Sequence, residues 1–186
     1  MQHSNKKIVS RGYTMSLNVM LLAQELGRLK RVPRTGWALR GVPEPESVAD
    51  HTYRTAVLAM VLGDRLGLDT DRMVRMALLH ELSECRTGDI PSGAIPTEQK
   101  TALERNLARD LLTAAGDEGP YRELIEDFLE GRSREARLVR DLDRFEMLLQ
   151  ALEYQDAGFP VFEEFYANTI ESIREPEVRA LAEALR

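Results

Sequence analysis

The chain is poor in the residues that staple, anchor or span. Of its 186 residues only Cys85 is a cysteine. An intrachain disulfide is therefore excluded, and the composition fits a reducing compartment. Cys85 itself reads as a packed, inert thiol. No run of about 18 apolar residues is present. The first residues, MQHSNKKIVSRGY, lack the apolar core of a signal peptide, so the cytoplasm is the expected location and no membrane is expected as a partner. Basic residues are outnumbered, 25 against 31 acidic, for a formal charge of -6. That balance argues against a general grip on polymeric nucleic acid, which favours a basic face. A small anionic ligand needs only a few local cations. Also missing are alternating apolar and polar strands of useful length, internal repeats and low-complexity tracts.

What is present is helical spacing nearly throughout. Val19, Leu22, Ala23, Leu26 and Leu29 form one stripe over residues 16–30, and Ser47 and Asp50 stand in capping positions before a long apolar run to residue 66. Both segments read as core helices. Thr70 to Glu84 carries Met73, Val74, Ala77, Leu78 and Leu82 between Gly67 and Gly88. Further helices are predicted over 97–115, 121–130, 133–154, 162–173 and 177–185, punctuated by Gly116, Gly131, Ser133 and Pro176. With 43% apolar residues, a chain of this length suits one domain burying roughly 70% of its unfolded surface. The expected architecture is all-α, a bundle of about seven to eight helices in a single domain over 1–186, with 1–14 as a flexible N-terminal segment.

The densest chemistry lies in LLHELSECRTGDIP. His80 and Glu81 are adjacent, Glu84 follows one helical turn beyond both, and Gly88 lets the chain turn to present Asp89. Histidine is scarce, with three in the chain. Apart from His3, the other candidate is His51 in PESVADHTYR. Asp143, in RDLDRFEMLLQ, places a carboxylate on an apolar helix, where burial without a partner is costly. Two histidines and two carboxylates from three helices suit a divalent ion with positions left for water and substrate. From composition alone, Glu84 and Asp89 read better as a solvated helix end and a turn former, and His51 as a satisfied surface or core residue.

Two loops stand out. Residues 31–46, RVPRTGWALRGVPEPE, are long for a link between helices and hold the lone tryptophan, Trp37. Residues 85–96, CRTGDIPSGAIP, hang directly off the His80 segment. A phosphate pocket between the two loops is expected.

These words resemble a known family. The order His51, then His80-Glu81, then Asp143 is similar to the H…HD…D signature of the HD-domain metal-dependent phosphohydrolases. LKRVPRTGW, PESVADHTYR, ECRTGDI and RDLDRFEMLLQALEYQ resemble its small 5′-deoxynucleotidase branch, over roughly residues 17–170. The family's central pair is His-Asp, whereas this chain carries His-Glu, one methylene longer. The resemblance implies an all-α HD domain holding a divalent cation, Mn, Co, Fe, Zn or Mg, on His51, His80, Glu81 and Asp143. It favours Asp143 over Asp141, because the motif aligns on the second aspartate of DLD. It implies catalytic roles for Glu84 and Asp89, and a possible second cation on these two with the Ile90 carbonyl. It also implies that Arg34 grips phosphate and that Trp37 crowds the sugar against a 2′-hydroxyl. In some members those two residues are adjacent, whereas here Thr35 and Gly36 intervene. Lys30 and Arg54 are weaker candidates for the same anionic pocket.

The implied activity is hydrolysis of deoxyribonucleoside 5′-monophosphates to deoxyribonucleosides and phosphate, a step in nucleotide metabolism. Water is the nucleophile, activated by the cation and oriented or deprotonated by Glu84, while Asp89 assists the leaving oxygen. Alternatives are another HD phosphohydrolase acting on triphosphates, alarmones or cyclic dinucleotides, or a non-catalytic nucleotide-sensing module. Family members commonly pair, so a homodimer is expected. Phe159, Val161, Phe162, Phe165 and Tyr166 either pack internally or form that contact.

Overall fold

The computed structural model describes residues 18–116 and 119–186. The segment 1–14, expected to be flexible, lies outside the described residues. In chain order the helices are α1 (18–29), α2 (Thr35–Ala38), α3 (Val48–Leu66), α4 (Thr70–Leu79), α5 (Glu84–Thr87) and α6 (Thr97–Ala114). They continue as α7 (Pro120–Glu130), α8 (Arg134–Asp156), α9 (Phe162–Thr169) and α10 (Pro176–Glu183), with a 3-10 turn at Ile170–Ser172. Among the described residues there is no strand, only an isolated bridge between Pro33 and Ser47. The all-α expectation is borne out.

Local signals set several helix ends. Ser47 caps α3 in a capping box: its hydroxyl accepts from the Asp50 amide at 3.2 Å and the Asp50 carboxylate accepts from the Ser47 amide at 3.0 Å. Ser133 accepts from the Ala136 amide at 3.0 Å and opens α8. The turn from α3 into α4 needs Gly63. A Cβ there would stand 2.8 Å from Thr70 Oγ1 and 3.2 Å from Met73 Sδ, so the two helices approach more closely than any side chain permits.

Helix α3 packs on α4 and α8, α8 also carries α9 and α10, and α6 pairs with α7. The larger core holds Met73, Met76, Leu138, Leu142, Leu148 and Ile173, and the smaller one holds Leu29, Val48, Leu82, Cys85, Leu111 and Leu112. Each such side chain contributes about 1.5–3 kcal/mol by leaving water. Surface ion pairs such as Arg134 to Glu177 add about 0–1 kcal/mol each, so apolar burial docks the helices. Val161, Phe162 and Tyr166 are buried in the larger core and Phe159 and Phe165 pack against it, so this aromatic group turns inward.

Two expectations need correction. Helix α1 is not a core helix along its length: Leu29 is buried and Leu22 half-buried, but Val19, Ala23 and Leu26 are exposed. Its C-terminal end alone docks on the smaller core. The helix predicted over 70–84 is interrupted, with α4 ending at Leu79 and α5 starting at Glu84. Between them the chain tightens into i to i−3 bonds, Leu82 to Leu79 and Glu84 to Glu81, both 3.0 Å. The extra rotation buries Leu82 and Cys85 in the smaller core, while His80 packs on Phe128, which borders the larger one.

Candidate active site

His51 from α3, His80 and Glu81 from the turn after α4, and Asp143 from α8 converge. One ligand atom from each lies within 4.8 Å of all the others. His51 Nε2 is 3.1 Å from Asp143 Oδ1 and 3.4 Å from His80 Nε2, and His80 Nε2 is 3.7 Å from Glu81 Oε1. Asp141, the competing aspartate, faces elsewhere. It accepts from Arg144 and from the Arg174 and Glu175 amides, all at 2.7 Å.

The outer nitrogens of both imidazoles are committed. His80 Nδ1 donates to the Ala77 carbonyl at 2.6 Å, and His51 Nδ1 makes a short hydrogen bond to Glu146 Oε2. With each proton held on Nδ1, both Nε2 lone pairs point at one another and at two carboxylate oxygens. Only positive charge reconciles that donor set, and soft imidazole with hard carboxylate suits a divalent first-row ion. The electrostatics agree. Burial and the Arg34 charge oppose a proton on His51, yet its hydrogen bonds to the Asp143 and Glu146 carboxylates outweigh them and lift its pKa to about 10. Burial likewise works against a charged Asp143, but His51 and His80 hold it well below the usual carboxylate range. Glu81 is also lowered, by His80 and Arg34 against the cost of burial.

Sequence reasoning missed Glu146, which is fully buried and sits one turn after Asp143 on the same face of α8. That i to i+3 spacing from Asp143 was the available signal. The Arg54 guanidinium holds Glu146 at 2.8 Å and also reaches Gln150 and Glu153, both at 2.6 Å. Arg54 therefore braces the back of His51 and does not line the anionic pocket. Lys30 is exposed and is likewise not on its wall.

A cavity of about 630 Å³ opens beside the cluster, between the two predicted loops and helices α8 and α9. Glu81, Asp143, Arg34, Trp37 and Asp89 line it, together with Lys100, which sequence reasoning also missed. Arg34 is buried and its Nη1 lies 3.1 Å from Glu81 Oε1 and 3.4 Å from Asp89 Oδ1. Burial opposes its charge, but Glu81 and Asp89 keep its pKa above the usual arginine value. Trp37 packs edge-on against Tyr154 at 5.3 Å and tilted on Phe165 at 4.3 Å, and its indole N–H donates to Glu46 at 3.0 Å. Burial, then the nearby Glu146 charge, pushes Glu46 up to about 7, although the Trp37 bond opposes this.

The two loops are clamped together. The Thr35 amide donates to Asp89 Oδ2 at 2.6 Å, and the Thr35 hydroxyl donates to the Asp89 carbonyl at 2.9 Å. Thr35, which separates Arg34 from Trp37, thus ties the first loop to the second. Glu84 sits behind this contact, buried, and its Oε2 has no hydrogen-bond partner. Burial, then Glu81 and Asp89, pushes its pKa up to about 11. The Ile90 carbonyl accepts from Lys100 Nζ at 2.8 Å.

Comparison with known proteins agrees with this fold. Residues 26–186 match the HD domain family. The protein named 5′-deoxynucleotidase HDDC2 of Homo sapiens is 42% identical over 165 residues, covering 86% of this chain and 80% of that protein. Among solved structures, a conserved hypothetical protein from Pyrococcus furiosus superposes with a TM-score of 0.77 at 32% identity, covering 90% of this chain and 98% of that one. The PH0347 protein from Pyrococcus horikoshii OT3 gives a TM-score of 0.78 at 31% identity, covering 90% and 99%. An all-helical body that gathers His51, His80, Glu81 and Asp143 beside a cationic cavity, with relatives this similar, places the chain in the HD-domain family, alongside the proteins named 5′-deoxynucleotidase HDDC2.

Proposed function

We propose that the protein is a metal-dependent 5′-deoxynucleotidase, hydrolysing deoxyribonucleoside 5′-monophosphates to deoxyribonucleosides and phosphate. The observation that carries this reading is a nest of two imidazoles and two carboxylates at one end of a cavity whose walls bear guanidinium and ammonium groups. The shared naming of relatives about 40% identical supports the same activity.

His51, His80, Glu81 and Asp143 would hold the cation, with both imidazoles presenting Nε2. A divalent ion there supplies charge neutralisation of the phosphoryl group and acidification of water. Arg34 forks onto phosphate oxygens, which requires loosening its contacts to Glu81 and Asp89. Trp37, braced by Tyr154 and Phe165, forms a rigid wall against the sugar and leaves little room for a 2′-hydroxyl. Asp89, on the cavity wall, meets the reacting groups. Glu84, kept protonated behind it by burial and by Glu81 and Asp89, gives that proton toward the leaving 5′-oxygen and regains one from the attacking water. Glu84, Asp89 and the Ile90 carbonyl would hold a second cation, which would supply further positive charge beside the phosphate. Holding it would require Glu84 to give up its proton and Lys100 to release the Ile90 carbonyl.

No helix among the described residues is long and apolar enough to cross a membrane. With Cys85 free and buried, we place the protein in the cytoplasm. Leu79 packs against both cores, which supports a single domain. We read the active form as a homodimer, to be checked by light scattering on the full chain.

Metal analysis combined with phosphate release from a panel of deoxy- and ribonucleoside monophosphates tests the reading. Turnover of the deoxy series that vanishes on chelation and returns with Mn or Co is the expected result. Phosphate release from none of the panel under any metal, or pyrophosphate release from triphosphates instead, refutes it.

A further inference from the structure

We propose that Lys100 binds the phosphate of this site, donating from Nζ to a non-bridging oxygen of the substrate and, after the reaction, of inorganic phosphate. The inference deepens the nucleotidase reading and rests on it.

Four cationic side chains line the cavity: Arg34, Arg40, Lys100 and Arg144. Three of them are already answered by carboxylates. Arg40 lies 2.7 Å from Glu164, Arg144 2.7 Å from Asp141, and Arg34 is shared between Glu81 and Asp89 at 3.1 and 3.4 Å. Lys100 differs. Its close partner is a neutral group, the Ile90 carbonyl at 2.8 Å, and its nearest carboxylate, Glu104, is 3.6 Å away. Burial raises the pKa of that glutamate, so Glu104 is the weaker for it as a counter-charge. An ammonium has three donors and one is used here. Lys100 thus brings the least compensated positive charge to the cavity wall.

Its position suits the role. Lys100 is the fourth residue of α6 and shares the wall with Asp89, Ile90 and Glu81. Its field reaches Glu84. Arg34 approaches the same region from the other loop, through its contact with Asp89. A phosphate between the two would meet a planar fork on one side and a compact point charge on the other.

The test uses the full chain loaded with Mn, as wild type, Lys100→Met and Lys100→Arg. KM and kcat for a deoxyribonucleoside monophosphate are measured by phosphate release. The inhibition constant of added inorganic phosphate is measured alongside, and circular dichroism and metal content control for folding. Lys100→Met should raise KM and the phosphate inhibition constant together, by about tenfold to a hundredfold, the loss expected for one charged hydrogen bond. Lys100→Arg should recover part of both. If the lysine merely ties the second loop to α6, Lys100→Met lowers kcat or thermal stability and leaves the phosphate constant within twofold, which overturns the proposal. Should the wild type turn over no nucleotide, the nucleotidase reading fails by itself. Direct phosphate binding by calorimetry then decides Lys100: equal binding by wild type and Lys100→Met overturns it, and binding lost only in the variant upholds it.

Discussion

The two ends of the cavity are held by different means. At the metal end, His51 and Asp143 project from the long helices α3 and α8, and Glu146 grips the far side of His51 from the same face of α8. At the anion end, Arg34, Thr35, Asp89 and Ile90 sit on loops joined by side-chain to backbone bonds. The first kind of support fixes ligand atoms within the narrow tolerance that coordination demands. The second lets Arg34 exchange carboxylate partners for a phosphate, which keeps its buried charge paired. Rigidity is concentrated where geometry is unforgiving, and adaptability where the ligand enters and leaves.

Breaking the helical end should have the largest effect. His80→Ala or Asp143→Ala should abolish turnover and metal retention while circular dichroism stays helical; unchanged turnover in either variant would remove that residue from the nest. Removing the brace comes next. Glu146→Ala should weaken metal binding by about 10–100-fold, measured by chelator competition, because His51 loses its fixed tautomer. It should also lower Tm, since Arg54 is left without its buried partner.

At the loop end, Arg34→Ala should raise KM about tenfold or more with metal content intact. Loss of metal in that variant would show that the two ends are not separable. Glu81→Asp is the milder change. It restores the family's doublet and should keep both metal and activity, whereas complete loss of metal would mean the site is built around the longer side chain.

A separate measurement distinguishes protons from metal. Glu84 and His51 have folded pKa values near 11 and 10, above their unfolded values of 4.5 and 6.5. For a raised pKa, the folded state holds a proton that the unfolded state has released. The resulting stability is complete below the unfolded pKa and is lost as pH rises through the folded one. Metal-free protein should therefore show a Tm that falls between pH 6 and 9, and Glu84→Gln should flatten the fall. A Tm that rises over that window would contradict the assignment.

Much of this was legible in the sequence because it is local. The Ser47 and Asp50 capping box, the Ser133 cap and the ends at Gly67 and Gly131 each depend on a few neighbouring residues. So did the list His51, His80, Glu81 and Asp143, from residue scarcity and family words. The break after Leu79 was not legible, because the apolar pattern runs on to Leu82 and only the smaller core demands the rotation. Glu146 was missed because a helical glutamate usually faces water, and its burial depends on His51 from 95 positions away. Arg54 was misassigned for the same reason, since its partners lie on α8. The stripe on α1 was over-read, because periodicity reports a face without reporting what covers it.

The bridge between Pro33 and Ser47 carries one more implication. The Arg34 amide donates to the Glu46 carbonyl and the Val48 amide to the Val32 carbonyl, both at 2.9 Å, so the first loop is sewn shut at its neck. Residues 39–41, at its outer rim, are exposed and lie beyond that seam. Extra residues spliced in there should lengthen the rim and shift Arg40 on the cavity wall without moving the Arg34 guanidinium. Tailoring this enzyme to bulkier ligands could therefore begin at that rim.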